Sequence, residues 1–194
     1  MKVFGLVGPL GAGKTTAAEL LVKKGFTRMS LTEELKKEVE KRGLALTRQV
    51  FLDVADELRR EEGNYYFAQK ASETLEKMSP SENANIVFDG IKNPGEIEFL
   101  KKKYKMILIG IAAPEKIRVE RILERASELD KSATQELLKE QLKRDAGLNQ
   151  EDYGNKINDC MKLVDININN NGTIVELEKK ILTTLKSSKP LLNK

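Results

Sequence analysis

Apolar residues recur along the chain in two rhythms. Short runs at 3–7, 26–30, 86–88, 106–112 and 164–168 have the length and apolar content of strands buried in a sheet. Between them the apolar positions fall three and four apart, the spacing of one helix face. Helices are therefore predicted over 14–24, 31–42, from Thr47 to Gly63, and over 65–78. Further helices are predicted over 94–103, from Pro114 to about Ala126, and over 133–146 and 173–185. Ala17, Leu20 and Leu21 share one face of the first helix, and Leu31 and Leu35 one face of the second. Val50, Phe51, Val54 and Leu58 form the stripe of the third. Thr47 reads as a cap, Pro94 and Pro114 open helices, and Gly25, Gly43 and Gly63 close them. Residues 83–85 and 169–172 are turns, 127–132 is polar and expected to be mobile, and 187–194 is expected to fray. Strands alternating with helices predict an α/β fold, a parallel sheet covered on both faces. In such sheets ligands gather at the carboxyl ends of the strands, where Gly8, Ser30, Asp89 and Asn169 fall.

The first of those strand ends carries the most specific pattern. The run 3–7 stops at Gly8, and Gly13, Lys14 and Thr15 follow, completing G-x-x-x-x-G-K-[ST] between a strand and a helix. Gly8, Gly11 and Gly13 let the backbone curl so that successive N–H groups, from Gly11 through Ala12 and Gly13 to Thr16, turn inward. With the positive end of the following helix they make a nest for phosphate oxygens. Lys14 can reach the outer phosphates, and the Thr15 hydroxyl can serve magnesium. The expected architecture is a three-layer P-loop NTPase fold that takes ATP and Mg2+.

Composition narrows the setting. The chain has 194 residues, 40% hydrophobic and 33% charged, enough for one domain with a real core. Its net charge of +4 comes from lysines and arginines interleaved with glutamates. Neither a basic stripe nor a stacking series marks a nucleic-acid surface. A cleft for a polyanionic small molecule suits the same balance. There is no histidine, which excludes a histidine base and leaves too few soft ligands for zinc. Cys160 is the only cysteine, so no internal disulfide forms and a reducing, cytoplasmic setting is expected. No stretch approaches the ~20 apolar residues of a membrane span, and no signal peptide is expected before the first strand.

Other charged groups fall where phosphoryl transfer needs them. Asp89 follows the run 86–88 directly and can approach the metal held by Thr15. Arg118, Arg121 and Arg125 share a helix face, and Arg144 closes the next helix. Cations there can close over a transferring phosphoryl group, so about 118–147 reads as a lid, with Arg121, Arg125 and Arg144 as its candidates. A solvated face paired to Glu120 and Glu124 is the competing reading. Lys36, Arg42, Arg48 and Arg59, on helices within the insert 31–78, are candidates for an acceptor's phosphate. Glu33, just past the second strand, is a candidate proton acceptor.

With these residues in place, the chain resembles the P-loop kinase superfamily, in the branch of nucleoside-monophosphate and dephospho-CoA kinases. More narrowly it is similar to the kinase-like domain associated with some deoxycytidylate deaminases, and to a group of archaeal proteins related to dephospho-CoA kinase. The runs GPLGAGKTT, SLTEELKKEVEKRGL, LTRQVFLDVADELRREEG, VFDGIKNPGEIEFL, APEKIRVERILER, KRDAGLNQEDYG and VDININNNGT carry the likeness. The resemblance implies one kinase-like domain over 1–186, adenine contacts near Asn170 and Gly172, and Lys92 at the acceptor site. The family favours aspartate where this chain has Glu33, and arginine where it has Lys36 and Lys92. An arginine-to-lysine change is not neutral at a forked phosphate contact. The deaminase itself is absent, because its zinc ligands need histidine and paired cysteines. The expected activity is γ-phosphoryl transfer from ATP to a small phosphorylated acceptor, a nucleoside or deoxynucleoside monophosphate or a dephospho-CoA-like nucleotide. A nucleotide sensor with little catalysis is the alternative, and oligomeric state is left open.

Overall fold

The computed structural model describes residues 1–125 and 135–188, with only the backbone described at residues 125 and 135–137. Five strands, β1 (Lys2–Val7), β2 (Phe26–Ser30), β3 (Asn85–Asp89), β4 (Ile107–Ala112) and β5 (Ile166–Asn169), form one sheet. Their order is β2-β3-β1-β4-β5, and every pairing is parallel. The register sets Gly5 beside Phe88 on one side and Leu108 on the other. The strands are apolar on both faces because both faces are covered. Along β1, Val3 and Val7 enter one core while Phe4 and Leu6 enter the other, the period-two alternation of a pleated strand.

The helices divide accordingly. The Phe4 side is closed by α1 (Lys14–Lys23) and α9 (Ile174–Ser187), through Ala17, Leu21, Leu177 and Ile181. The Val3 side is closed by α2 (Leu31–Lys41), α3 (Arg48–Glu62), α4 (Tyr66–Lys77) and α5 (Pro94–Tyr104). Phe67, Phe88 and Leu100 interlock there with almost no exposure. Truncating a ring as buried as Phe88 typically costs about 3–5 kcal/mol, so this layer holds α2–α4 firmly against the sheet. Helices α6 (Glu115–Arg125) and α7 (Gln135–Ala146) follow β4.

Local chemistry sets several boundaries as expected. The Thr47 hydroxyl accepts from the Val50 N–H, and Asn93 and Thr173 build reciprocal capping boxes with Glu96 and Glu176. Helix α8 (Ile157–Lys162) was not expected. Only Ile157 and Cys160 of its six residues are buried, too short a stripe to show a helical period. The strand expected over 164–168 starts later, at Ile166, and runs to Asn169. The tail expected to fray begins ordered: α9 reaches Ser187, and Ser188 is fully buried with its N–H on the Thr184 carbonyl. The rest of that tail and the polar stretch 127–132 lie outside the described residues.

Candidate active site

The turn after β1 is shaped by close approach. At Gly8 an added Cβ would run into the Ile111 carbonyl. At Gly11, where φ is +77°, it would come within 2.5 Å of the Arg118 carbonyl. Neither position tolerates a side chain, so the loop lies tight between β4 and α6. Lys14 follows, and its Nζ folds back to donate to the Gly8 carbonyl at 2.5 Å and the Pro9 carbonyl at 3.1 Å. Burial drives this amine down from 10.5 to about 8, with Lys92 and Arg48 adding to the fall and Asp145 and Asp89 opposing it. A cation so poorly solvated is primed to accept anionic oxygens.

Lys14 stands on the wall of a cleft of about 870 Å³. One end is lined by Gly13, Thr15, Thr16, Asn170, Gly172 and Ile174. The other opens between α2 and α3, where Leu31, Leu35, Phe51 and Phe67 line it beside Glu33 and Arg48. Asp89 lies between the two ends, 4% exposed. Its Oδ2 accepts from Arg28 Nε at 3.1 Å and Nη2 at 2.6 Å, while Oδ1 is buried without a partner. The Asn170 amide donates to the Ala12 carbonyl at 2.9 Å, so the loop after β5 is stitched to the phosphate loop. Arg121 donates to the Asn170 and Gly172 carbonyls at 3.0 and 3.2 Å, tying α6 to the same loop.

A second group of charges lies behind Lys14. Asp145, 2% exposed on α7, accepts from Lys92 Nζ at 2.7 Å and from Asn155 Nδ2 at 3.2 Å. Burial pushes this carboxyl up, but Lys92 and Lys14 outweigh it and hold it at about 2. Asn155 in turn accepts from Arg59 Nη1 at 3.1 Å. Glu96 takes Arg59 Nε and Nη2 on one oxygen and the Lys92 and Asn93 N–H groups on the other. The glutamate that completes the α5 capping box is thus also the counter-ion of Arg59.

Residues 5–143 match the AAA domain family. The UPF0200 protein of Methanocaldococcus jannaschii is 31% identical over 147 residues, 76% of this chain and 74% of that one. The chain belongs to the AAA domain family and to the UPF0200 proteins. A UPF0200/UPF0201 protein of Archaeoglobus fulgidus is 32% identical over 93% of the chain, but the chain spans only 54% of that relative's length. Dephospho-CoA kinase from Campylobacter jejuni superposes with a TM-score of 0.54 at 18% identity, covering 96% of this chain and 97% of that one. The fold of this chain is accordingly that of the P-loop kinases.

This UPF0200 site brings together much of what the sequence singled out. Gly11, Gly13, Lys14, Thr15, Thr16, Asp89, Asn170 and Gly172 line one cleft with Glu33, Arg48, Lys92, Arg59 and Arg121. Other expectations are corrected. Lys36 is absent from the lining and pairs along its own helix with Glu40, 3.8 Å away. Arg42 also lies off the cleft, folded onto Glu38 and Glu57 at 3.0–3.1 Å. Arg59 reaches the wall, yet at 3% exposure each of its three guanidinium nitrogens already donates to Glu96 or Asn155. Arg144 is held by Asp53 and Asp56 of α3 at 3.1 and 2.7 Å rather than standing over the phosphate loop. Arg118, read as part of the lid face, bonds the Leu10 and Ala113 carbonyls and anchors α6 to the loop. The side chain of Arg125 lies outside the described residues. Helical spacing aligns cations on a face but does not reveal the carboxylates that meet them. Arg28 and Asp145 were missed. Their only local signal was a charge within the apolar run of β2 and the pair Arg144-Asp145 before Gly147.

Proposed function

We propose that this chain transfers the γ-phosphoryl group of ATP, with magnesium, to a small phosphorylated acceptor of the nucleotide class. The observation that carries the reading is one cleft shared by the phosphate loop and by α2–α4, with the half-buried amine of Lys14 on its wall. The N–H groups of Gly11 and of Gly13 to Thr16, with the Lys14 amine, would hold the donor phosphates, while the Ala12 N–H is taken by the Pro9 carbonyl; Asn170 and Gly172 would meet the adenine. Thr15 and Asp89 would hold magnesium, and the orphaned Asp89 Oδ1 fits that role as an acceptor oxygen lacking a partner. Magnesium, when bound, neutralises charge developing on the phosphate oxygens. Arg121 would move from the loop carbonyls onto the donor phosphates, and Glu33 would orient the acceptor in the α2–α3 end. The apolar wall of Leu31, Leu35, Phe51 and Phe67 suits a base or other flat body rather than a second polyanion.

The test is phosphotransfer from magnesium-ATP to each nucleoside monophosphate, each deoxynucleoside monophosphate and dephospho-CoA. Turnover with one class, lost in Lys14→Ala, is the expected result. A sensor is the second reading, favoured by the commitment of Arg42, Arg59 and Arg144 to carboxylates. Tight ATP binding with no transfer to any acceptor would select the sensor. Failure to bind ATP would refute both.

A further inference from the structure

Arg28 lines the cleft beside Asp89, and no expectation included it. It lies within β2, beside Val87 of β3 in register, and Ser30 two residues on pairs with Asp89. Its fork is used in an unusual way. A guanidinium meeting a carboxylate commonly places one N–H on each oxygen. Here Nε and Nη2 both donate to Asp89 Oδ2, at 3.1 and 2.6 Å. Oδ1 is buried with no partner. Buried acceptor oxygens are rarely left unmade in folded proteins, and one on a residue that lines a ligand cleft marks a place for a group that arrives later. The Arg28 side chain is 32% exposed and lines the same cleft.

We infer that Arg28 is a positioning residue for magnesium. It pins Asp89 through Oδ2 and so keeps Oδ1 available to the metal or its hydration shell. The inference rests on the magnesium-nucleotide reading above, but not on catalysis. It applies equally to a kinase and to a sensor. An outer-shell partner that orients a metal ligand typically contributes 10- to 100-fold in metal affinity. The alternative is a plain ion pair that only balances a buried carboxylate.

The experiment measures ADP affinity by calorimetry, in excess magnesium and in EDTA, for the parent, Arg28→Gln and Arg28→Lys. The ratio of the two affinities reports the metal's share of binding. In Arg28→Gln that ratio should fall on the order of 10-fold, with the EDTA affinity within about 2-fold of the parent. Arg28→Lys keeps one donor for Oδ2 and should fall by a smaller factor, which keeps the test alive if the glutamine variant does not fold. Manganese bound beside ADP should give a changed resonance signal in the same variants. A parent ratio retained in both variants overturns the inference, and so does an equal loss with and without magnesium. A parent protein that binds ADP with no magnesium dependence overturns it while leaving the phosphate-loop assignment intact; one that binds no nucleotide refutes the proposed function itself.

Discussion

Raising the pH from 7 to 9 should loosen nucleotide binding through a single group, Lys14. In the protein without nucleotide, burial holds its amine at about 8 instead of 10.5. That fall corresponds to about 3 kcal/mol of charge poorly solvated by the protein. Phosphate oxygens would supply the missing solvation and return the amine to its ordinary range. At pH 7 the amine is protonated with or without nucleotide, so binding takes up almost no proton. At pH 9 about nine-tenths of empty sites have lost the proton, and binding must restore it. Affinity for a non-hydrolysable ATP analogue with magnesium should therefore drop about 10-fold between pH 7 and 9, with nearly one proton taken up per site at pH 9. Calorimetry in buffers of different ionisation enthalpy measures that proton directly. Lys14→Ala should bind weakly at both pH values with no uptake. The sign for the free protein is opposite to that of an ordinary paired lysine. The unfolded chain holds the proton up to about 10.5, so between about 8 and 10.5 Lys14 makes the fold relatively more stable as pH rises. A parent with no proton uptake at pH 9, or a Lys14→Ala protein with the same uptake, would refute the reasoning.

Asp145 should give the acid limb of stability. Its carboxyl stands at about 2 against an ordinary 3.8, so its contribution of about 2 kcal/mol is complete above about pH 4 and is lost as pH falls through 2. Urea midpoints from pH 2 to 6 should show a shallower slope in Asp145→Asn. Arg59→Ala should destabilise the fold by about 3–5 kcal/mol in the same assay, because it leaves Glu96, fully buried, without its counter-ion. Arg59→Met combined with Glu96→Leu should recover much of that loss, and a single variant as stable as the parent would show that the pair is not what holds α3 to α5.

The phosphate loop was legible because its signal is local. Strand, glycines, Lys14 and Thr15 lie within fifteen consecutive residues, and short-range sterics determine how they fold. The same holds for the cap at Thr47, whereas the capping boxes of Asn93 and Thr173 were not singled out. Asp89 was legible for a related reason, since a strand's carboxyl end in a parallel sheet points to the ligand side. The acceptor and lid arginines were not. Lys36, Arg59 and Arg144 were correctly placed on helices and Arg42 falls one residue past α2 as its C-cap, yet what each does depends on carboxylates brought to it by packing. Arg59 meets Glu96 from 37 positions away and Arg144 meets Asp56 from 88. Helix α8 escaped notice because six residues hold too little of a period to read.

By itself, then, the sequence determined the elements, their α/β order and the nest for phosphate, all of which follow from hydrophobic period and backbone sterics over a few turns of chain. Only the tertiary structure decided which charges are free to meet a ligand. Coulomb attraction depends on distance in space and on burial, and those are set when β2, α3 and α5 meet at the cleft and α7 is tied to α3 and to Lys92 beside it. That convergence neutralises Arg59, draws Arg144 to α3, sets Asp145 behind Lys14, and leaves one oxygen of Asp89 without a partner.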